Sequence, residues 1–262
     1  MQLYYFGSSE KPLFGVHHPA QGKANRKECV VLCPAIGTEL LRSYRAFRQL
    51  ATNLSKQGFD VLRFDYYGTG DSSGDCLEGN LQQWREDIRT AIEELKDATG
   101  ATTVSLVGLR LGATLAAEVA KQEAVSRLVL WEPVIDGEAY IQDRISADLE
   151  YETEHNHAED MKKNLDADDP IGIMGFAWSS KLREELAEID LDSFSGIESR
   201  HTYLLVREEN QLTSQLQETL RSNKGKFGYE HIEHPGEWGE FDAIGSLLLP
   251  QATIQAVVAC LV

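Results

Sequence analysis

The sequence predicts a mostly parallel, doubly wound α/β sheet with a helical insertion late in the chain. Three observations carry that prediction. Short Val-, Ile- and Leu-rich runs alternate with amphipathic helical patterns as far as Trp131. That β-α-β-α-β-α-β rhythm implies parallel strands with helices on both faces. The stretch VSLVGLRLGATLA, residues 104–116, is an apolar strand that breaks at a glycine and becomes a small-residue helix. The rhythm then stops between residues 137 and 199, far longer than a βα connection needs.

The elements follow in order. Two short strands lie near residues 3–6 and 13–17, split by Gly7-Ser8-Ser9. The first strongly apolar strand is 29–33, closed by Pro34-Ala35-Ile36-Gly37. Phe47, Leu50, Ala51 and Leu54 then make one stripe of a helix over about 43–57, with Gly58 as its stop. Strand 60–66 leads into the loop GTGDSSGD. Asn80 caps a helix whose buried face is Leu81, Trp84, Ile88, Ile92 and Leu95, ending at Gly100. Strand 102–107, helix 111–121 and strand 127–131 complete the first block. The rhythm resumes with strand 202–206, helix 212–223, strand 229–234 and a final helix from Pro250. Residues 1–136 and 200–262 are therefore the core, and 137–199 is expected to be a lid over the carboxyl edge of the sheet.

Composition narrows the function. The chain has 262 residues, 42% hydrophobic and 26% charged, with a formal net charge of −17. Such a charge argues against nucleic acid or an anionic membrane as the main partner, while leaving room for a local anion site. Cys29 and Cys33 lie about 13 Å apart at strand rise, too far for a disulfide. No Cys/His cluster with zinc spacing occurs, so no metal is expected. Unpaired thiols, no basic-then-apolar leader and a C-terminal apolar run too short to span a bilayer point to a cytoplasmic protein.

At these spacings three stretches resemble the α/β-hydrolase superfamily, in its serine-aminopeptidase-like branch. CVVLCPAIGTE occupies the place of the oxyanion loop, and VLRFDYYGTGDS that of a D-x-x-G-x-G-x-S loop. VGLRLGATLA is a G-x-S-x-G nucleophile elbow in all but its central residue. Within that branch, YYFGSSEKPLFGVHHP, GLRLGA, LVLWEPVIDG and GFAWSSKLREELAEIDL resemble hydrolase-like proteins found with bacterial exosortase systems, a subgroup that often carries arginine at the elbow. The resemblance implies an α/β-hydrolase sheet with a lid, and a triad in the order Ser, acid, His. Gly68, Gly70 and Gly74 also fit a dinucleotide loop, but Asp71 would lie against the pyrophosphate and no helix follows at once. No cofactor is expected.

The triad positions are altered. Arg110 stands where the nucleophile belongs, and a guanidinium stays protonated, so it is neither nucleophile nor base. The acid slot reads Arg207-Glu208-Glu209-Asn210, which puts Asn210 near the acid's position, with Glu208 or Glu209 as stand-ins. The histidine slot reads Pro235-Gly236-Glu237-Trp238-Gly239, which puts Trp238 there; His234 and His231 come early. Serine-hydrolase chemistry is not expected from Arg110, Asn210 and Trp238.

The surrounding machinery persists. The N–H of Leu111 and one near Ile36 and Gly37 form an oxyanion-type donor pair, and a helix N-terminus favours anions. Three outcomes are open for Arg110. It pairs internally with Glu39, Glu132, Asp136 or Glu237. It holds an anionic or acyl small molecule, with Arg42, Trp131 and Trp238 as further contacts. Or it anchors a substrate for other chemistry, with Glu39, Glu132, Asp136 or His234 as acid or base. A fourth reading gives the chain a protein partner that docks on an exposed apolar patch of the lid around Phe176 and Trp178.

Overall fold

The computed structural model describes residues 1–22, 26–154, 170–233, 238–239 and 249–262. His234 and Glu237 lie outside the described residues, as does most of the acidic part of the insertion.

One sheet of eight strands organises the chain, in the order β1-β2-β4-β3-β5-β6-β9-β10. β1 (Gln2–Gly7) and β2 (Pro12–His18) form an antiparallel hairpin, and β2 runs antiparallel to β4 (Asp60–Phe64). From β4 onward the pairing is parallel, through β3 (Glu28–Cys33), β5 (Thr103–Leu109), β6 (Val125–Trp131), β9 (Glu198–Val206) and β10 (Lys224–His231).

The two-residue period of each strand sorts the core onto two faces. Val31, Leu106, Leu128 and Leu130 pack with α2 (Leu81–Thr99), α3 (Leu111–Val119) and α6 (Gln211–Ser222). Val30, Leu32, Val107, Val129 and Trp131 pack with α1 (Gly37–Lys56) and α7 (Gln251–Leu261). From neighbouring strands β3 and β5 the chain departs in opposite directions, toward β4 through α1 and toward β6 through α3. Crevices form at the carboxyl ends of strands at such a switch point.

Three element starts lie furthest from those the sequence predicts. α1 starts at Gly37, a turn and a half before Ser43. No side chain caps it at Ile36, so nothing in the sequence announces its start, but Glu39 sits in the first turn, where the helix dipole favours an acid. β9 starts at Glu198 and β10 at Lys224, both earlier than their apolar runs, because main-chain pairing with a neighbour continues into polar residues.

The insertion holds α4 (Gly137–Glu154), a small hairpin of β7 (Ile171–Ile173) and β8 (Phe176–Trp178), and α5 (Ser180–Ala187). It is fastened to the core. Glu185 Oε2 accepts the Leu81 N–H at 2.6 Å, and Lys121 Nζ of the core donates to the Asp192 carbonyl at 2.7 Å. The expected exposed patch is not there: Trp178 is 4% exposed, its ring 6.0 Å from that of Tyr140, and Phe176 is half-buried beside Gly37. The apolar run closes the insertion onto the core rather than facing solvent. Among the described residues no helix is long and apolar enough to cross a membrane.

Candidate functional site

β5 ends at Leu109 and α3 starts at Leu111, which leaves Arg110 alone to turn the chain. Its φ is +54° and its ψ −123°. A non-glycine residue held there is strained by roughly 1–3 kcal/mol, a cost that surrounding structure must impose. Here the constraint is visible. Arg110 N–H donates to the Trp131 carbonyl at 3.0 Å, and its own carbonyl accepts from Ala113 at 3.0 Å and Val134 at 3.4 Å. A side chain at Gly108 would strike the α3 backbone, and one at Gly112 the backbone of Cys33 and Pro34. The turn keeps the geometry of a nucleophile elbow with arginine at its tip.

Of the expected acids among the described residues, the guanidinium meets the carboxylate of Glu39. Arg110 Nε donates to Glu39 Oε1 at 2.8 Å, and Nη1 to the Glu132 carbonyl at 3.2 Å. Tyr140, from the insertion, donates its hydroxyl to Glu39 Oε2 at 3.0 Å, and its ring lies 5.8 Å from the guanidinium carbon. Glu39 is buried, whereas the Arg110 side chain keeps 22% of its surface. Burial works against the Arg110 charge, but the Glu39 carboxylate overrides it and raises the pKa. Burial also lifts the Tyr140 hydroxyl well above its ordinary value, so it stays a donor.

Arg110 borders a cleft of about 260 Å³, whose other walls come from β6–α4 and β9–α6. Val134, Ile135, Val206 and Leu212 line it with apolar surface, and Glu132, Asp136, Asp143 and Glu208 bring carboxylates. Ile36, Gly37, Arg42, Leu111, Trp131 and Trp238 are not among its lining residues. Arg42 is buried within α1. Trp131 and Trp238 are core residues, their rings 5.3 Å apart, with Phe47 stacked on Trp131 at 6.5 Å. Strand parity explains this: Trp131 shares the face of Val129, which packs toward α1.

The remaining expected residues have structural partners. Asn210 is the N-cap of α6, accepting from Thr213 N–H at 2.9 Å while Thr213 Oγ1 accepts from Asn210 N–H at 2.8 Å. Glu208 pairs with Arg207 at 2.8 Å, and Glu209 accepts the Tyr229 hydroxyl at 2.6 Å. Asp136 accepts the Ala139 N–H at 2.9 Å in the first turn of α4. Glu132, itself at φ +45°, takes the indole N–H of Trp131 at 3.2 Å and of Trp238 at 3.1 Å on one oxygen. An indole N–H donates only, so this contact copies the hydrogen bond of an acid to a histidine without a basic nitrogen. The carboxylates raised by burial, Asp65, Asp87 and Asp148, do not line the cleft.

Sequence reasoning missed Tyr140. Its only signal is a lone aromatic one turn into the insertion helix, opposite no recognisable motif. Chemically, the site offers a fixed cation with spare donors beside a cleft of mixed apolar and acidic lining, and no nucleophile at the elbow.

A family model described as serine aminopeptidase, S33 matches residues 24–194, more than half of the chain. The human mitochondrial palmitoyl-protein thioesterase ABHD10 is 38% identical over 74 residues, which are 28% of this chain and 23% of that protein. A solved structure of DcsB with its substrate analogue aligns over 99% of this chain and 97% of that one, with a TM-score of 0.69 and 14% identity. The structure of mouse ABHD10 aligns over 100% and 97%, with a TM-score of 0.59 and 16% identity. At such identities these structures establish likeness of fold.

Proposed function

This chain belongs to the serine aminopeptidase S33 family of α/β-hydrolases, and from that premise we propose that it binds a carboxylate-bearing or acyl small molecule at Arg110 rather than hydrolysing one by serine chemistry. The observation that carries the reading is the unspent part of the guanidinium. Of its five N–H donors, acceptors among the described residues take one at Nε and one at Nη1. The rest belong to a side chain that borders the cleft and keeps part of its surface. Glu39 fixes the fork, so a ligand carboxylate or carbonyl meets donors already oriented. The apolar part of the cleft wall, Val134, Ile135, Val206 and Leu212, suits a short acyl chain. The acyl chemistry in the name of the ABHD10 thioesterase agrees with that class.

In this reading residues 137–199 are the lid, whose helix α4 supplies Ala139, Tyr140 and Asp143 to the cleft. The triad is degenerate at Arg110, Asn210 and Trp238. Four free cysteines, two of them buried in the core, suit a reducing compartment such as the cytoplasm.

Isothermal titration with hexanoate tests the reading. Wild type is expected to bind it, and Arg110→Lys, which keeps the charge but loses the fork, to bind about tenfold or more weakly. Absence of hexanoate binding, or binding that Arg110→Lys leaves intact, overturns it. Steady turnover of a hexanoyl thioester by wild type would instead favour an enzyme, and its loss on substituting the cleft carboxylates Glu132 or Asp136 would assign the chemistry to them.

A further inference from the structure

α1 presents an outer face of exposed apolar and basic side chains. Leu41, Tyr44, Arg45, Arg48 and Lys56 are exposed at helical spacing, with Thr52 partly so. Leu41 and Tyr44 keep 52% and 47% of their surface. The one acid of α1, Glu39, is buried beneath Arg110, so the exposed face carries three cations and no anion. Among the described residues, Arg45, Arg48 and Lys56 make no ion pair. In a chain with a net charge of −17, three unpaired cations on one helix face are a concentration of sign that solubility does not require.

The face also has a shape. Arg45, Arg48, Thr52, Lys56 and Leu249 border a groove of about 410 Å³ between α1 and the approach to α7. From Leu41 to Lys56 the helix runs about 22 Å, some four turns. A further cation lies beneath the N-terminal part of this face. Buried Arg63 lies under the Tyr44 ring at 5.2 Å and donates to His18 Nε2 at 3.3 Å. Burial first, then Arg63, the N-terminus, His17 and Arg48, hold the His18 pKa down to about 4. Asp65 is the acid that faces Arg63, and Asp60 that which faces His17. Neither lies on the α1 face.

We propose that this face docks an acidic, amphipathic helix of a partner protein. Carboxylates of the incoming helix would meet Arg45, Arg48 and Lys56, and its apolar ridge would cover Leu41, Tyr44 and Leu249. A helix in a groove is read by such regularly spaced anchors. None of these residues lines the cleft at Arg110, so the docking surface stands apart from the proposed ligand site.

The test uses a fluorescein-labelled amphipathic peptide of Leu and Glu heptads, measured by anisotropy, with a scrambled peptide of the same composition as control. The ordered peptide is expected to bind, to weaken as salt rises, and to bind about tenfold or more weakly to the Arg45→Glu/Arg48→Glu variant. Leu41→Ser is expected to weaken it with the charges intact. Circular dichroism establishes that each variant is folded, and unchanged hexanoate titration of the variants separates this face from the cleft. No binding, equal binding of the scrambled peptide, indifference to both substitutions, or tighter binding of a DNA duplex or phosphatidylserine vesicles would overturn the proposal.

Discussion

Arg110 Nε and Glu39 Oε1 lie 2.8 Å apart, which joins the tip of the elbow to the first turn of α1. The two residues are 71 positions apart in sequence, and the ion pair spans the switch point between β3 and β5. It closes the position from which a serine would attack, and it keeps the strained Arg110 backbone loaded with a fixed charge. Tyr140 makes the pair a three-part contact with the insertion.

This clasp has an energetic signature. Removing one partner of a buried pair leaves a buried charge alone and costs roughly 3–5 kcal/mol. Arg110→Ala is expected to fall in that range, because Glu39 is nearly solvent-free. Glu39→Gln should cost less, since the Arg110 side chain retains contact with water. Together the two substitutions should cost less than the sum, with a coupling of about 1–3 kcal/mol in urea unfolding. Additivity within error would show that the pair contributes no clasp.

Restoring the nucleophile should not restore hydrolysis. Arg110→Ser places a hydroxyl at a well-formed elbow, but Trp238 offers its indole N–H to Glu132 at 3.1 Å and has no lone pair to accept a proton. The expected rate for p-nitrophenyl acetate with Arg110→Ser is that of Arg110→Ala. Turnover well above that level would reveal a base elsewhere, with the region that includes His234 the first place to look.

The two indoles on Glu132 also bear on stability. Trp238→Phe keeps the ring packing against Trp131 and deletes one donor to a carboxylate. A hydrogen bond to a charged group is worth about 1.5–3 kcal/mol net, and Trp131 still serves the same oxygen. The loss in thermal or urea unfolding should therefore sit at the lower end, about 1–2 kcal/mol. A variant as stable as wild type would mean that the Trp131 donor alone satisfies Glu132.

Much of this was legible in the sequence, for identifiable reasons. The elbow is forced by Gly108 and Gly112, where any side chain meets backbone, so the turn is legible with arginine at its tip. The strand and helix rhythm survives because the central strands β3 to β6 bury both faces. What was not legible depends on three-dimensional proximity. Glu39, Glu132, Asp136 and Glu237 all stood near the carboxyl edge in sequence terms. Glu39 meets the guanidinium because α1 starts at Gly37 and turns its first coil toward the elbow. The place of Trp131 was in principle readable, since alternation along Leu128–Trp131 puts it with Val129 on the α1 side. Aromatic size alone suggested a cleft wall, and the period of the strand decides otherwise.

Asp87 gives the fold a dependence on pH that can be isolated. It is 2% exposed on α2, accepts the Tyr67 N–H at 2.8 Å and the Gln83 side chain at 2.8 Å, and so anchors the glycine-rich loop after β4. Burial outweighs these hydrogen bonds and pushes its pKa from 3.8 to about 6. The folded state thus holds the proton more tightly than the unfolded chain. Its stabilising contribution is complete below the unfolded value and is lost as pH rises through the interval to about 6. Asp87→Asn keeps an acceptor for Tyr67 and cannot ionise. Relative to wild type, this variant should gain of order 1–3 kcal/mol between the acid end of that interval and neutral pH. Urea unfolding of both proteins across the interval measures the difference. A gap that is constant with pH, or that moves the other way, would show that Asp87 enters the fold as a carboxylate stabilised by its two donors.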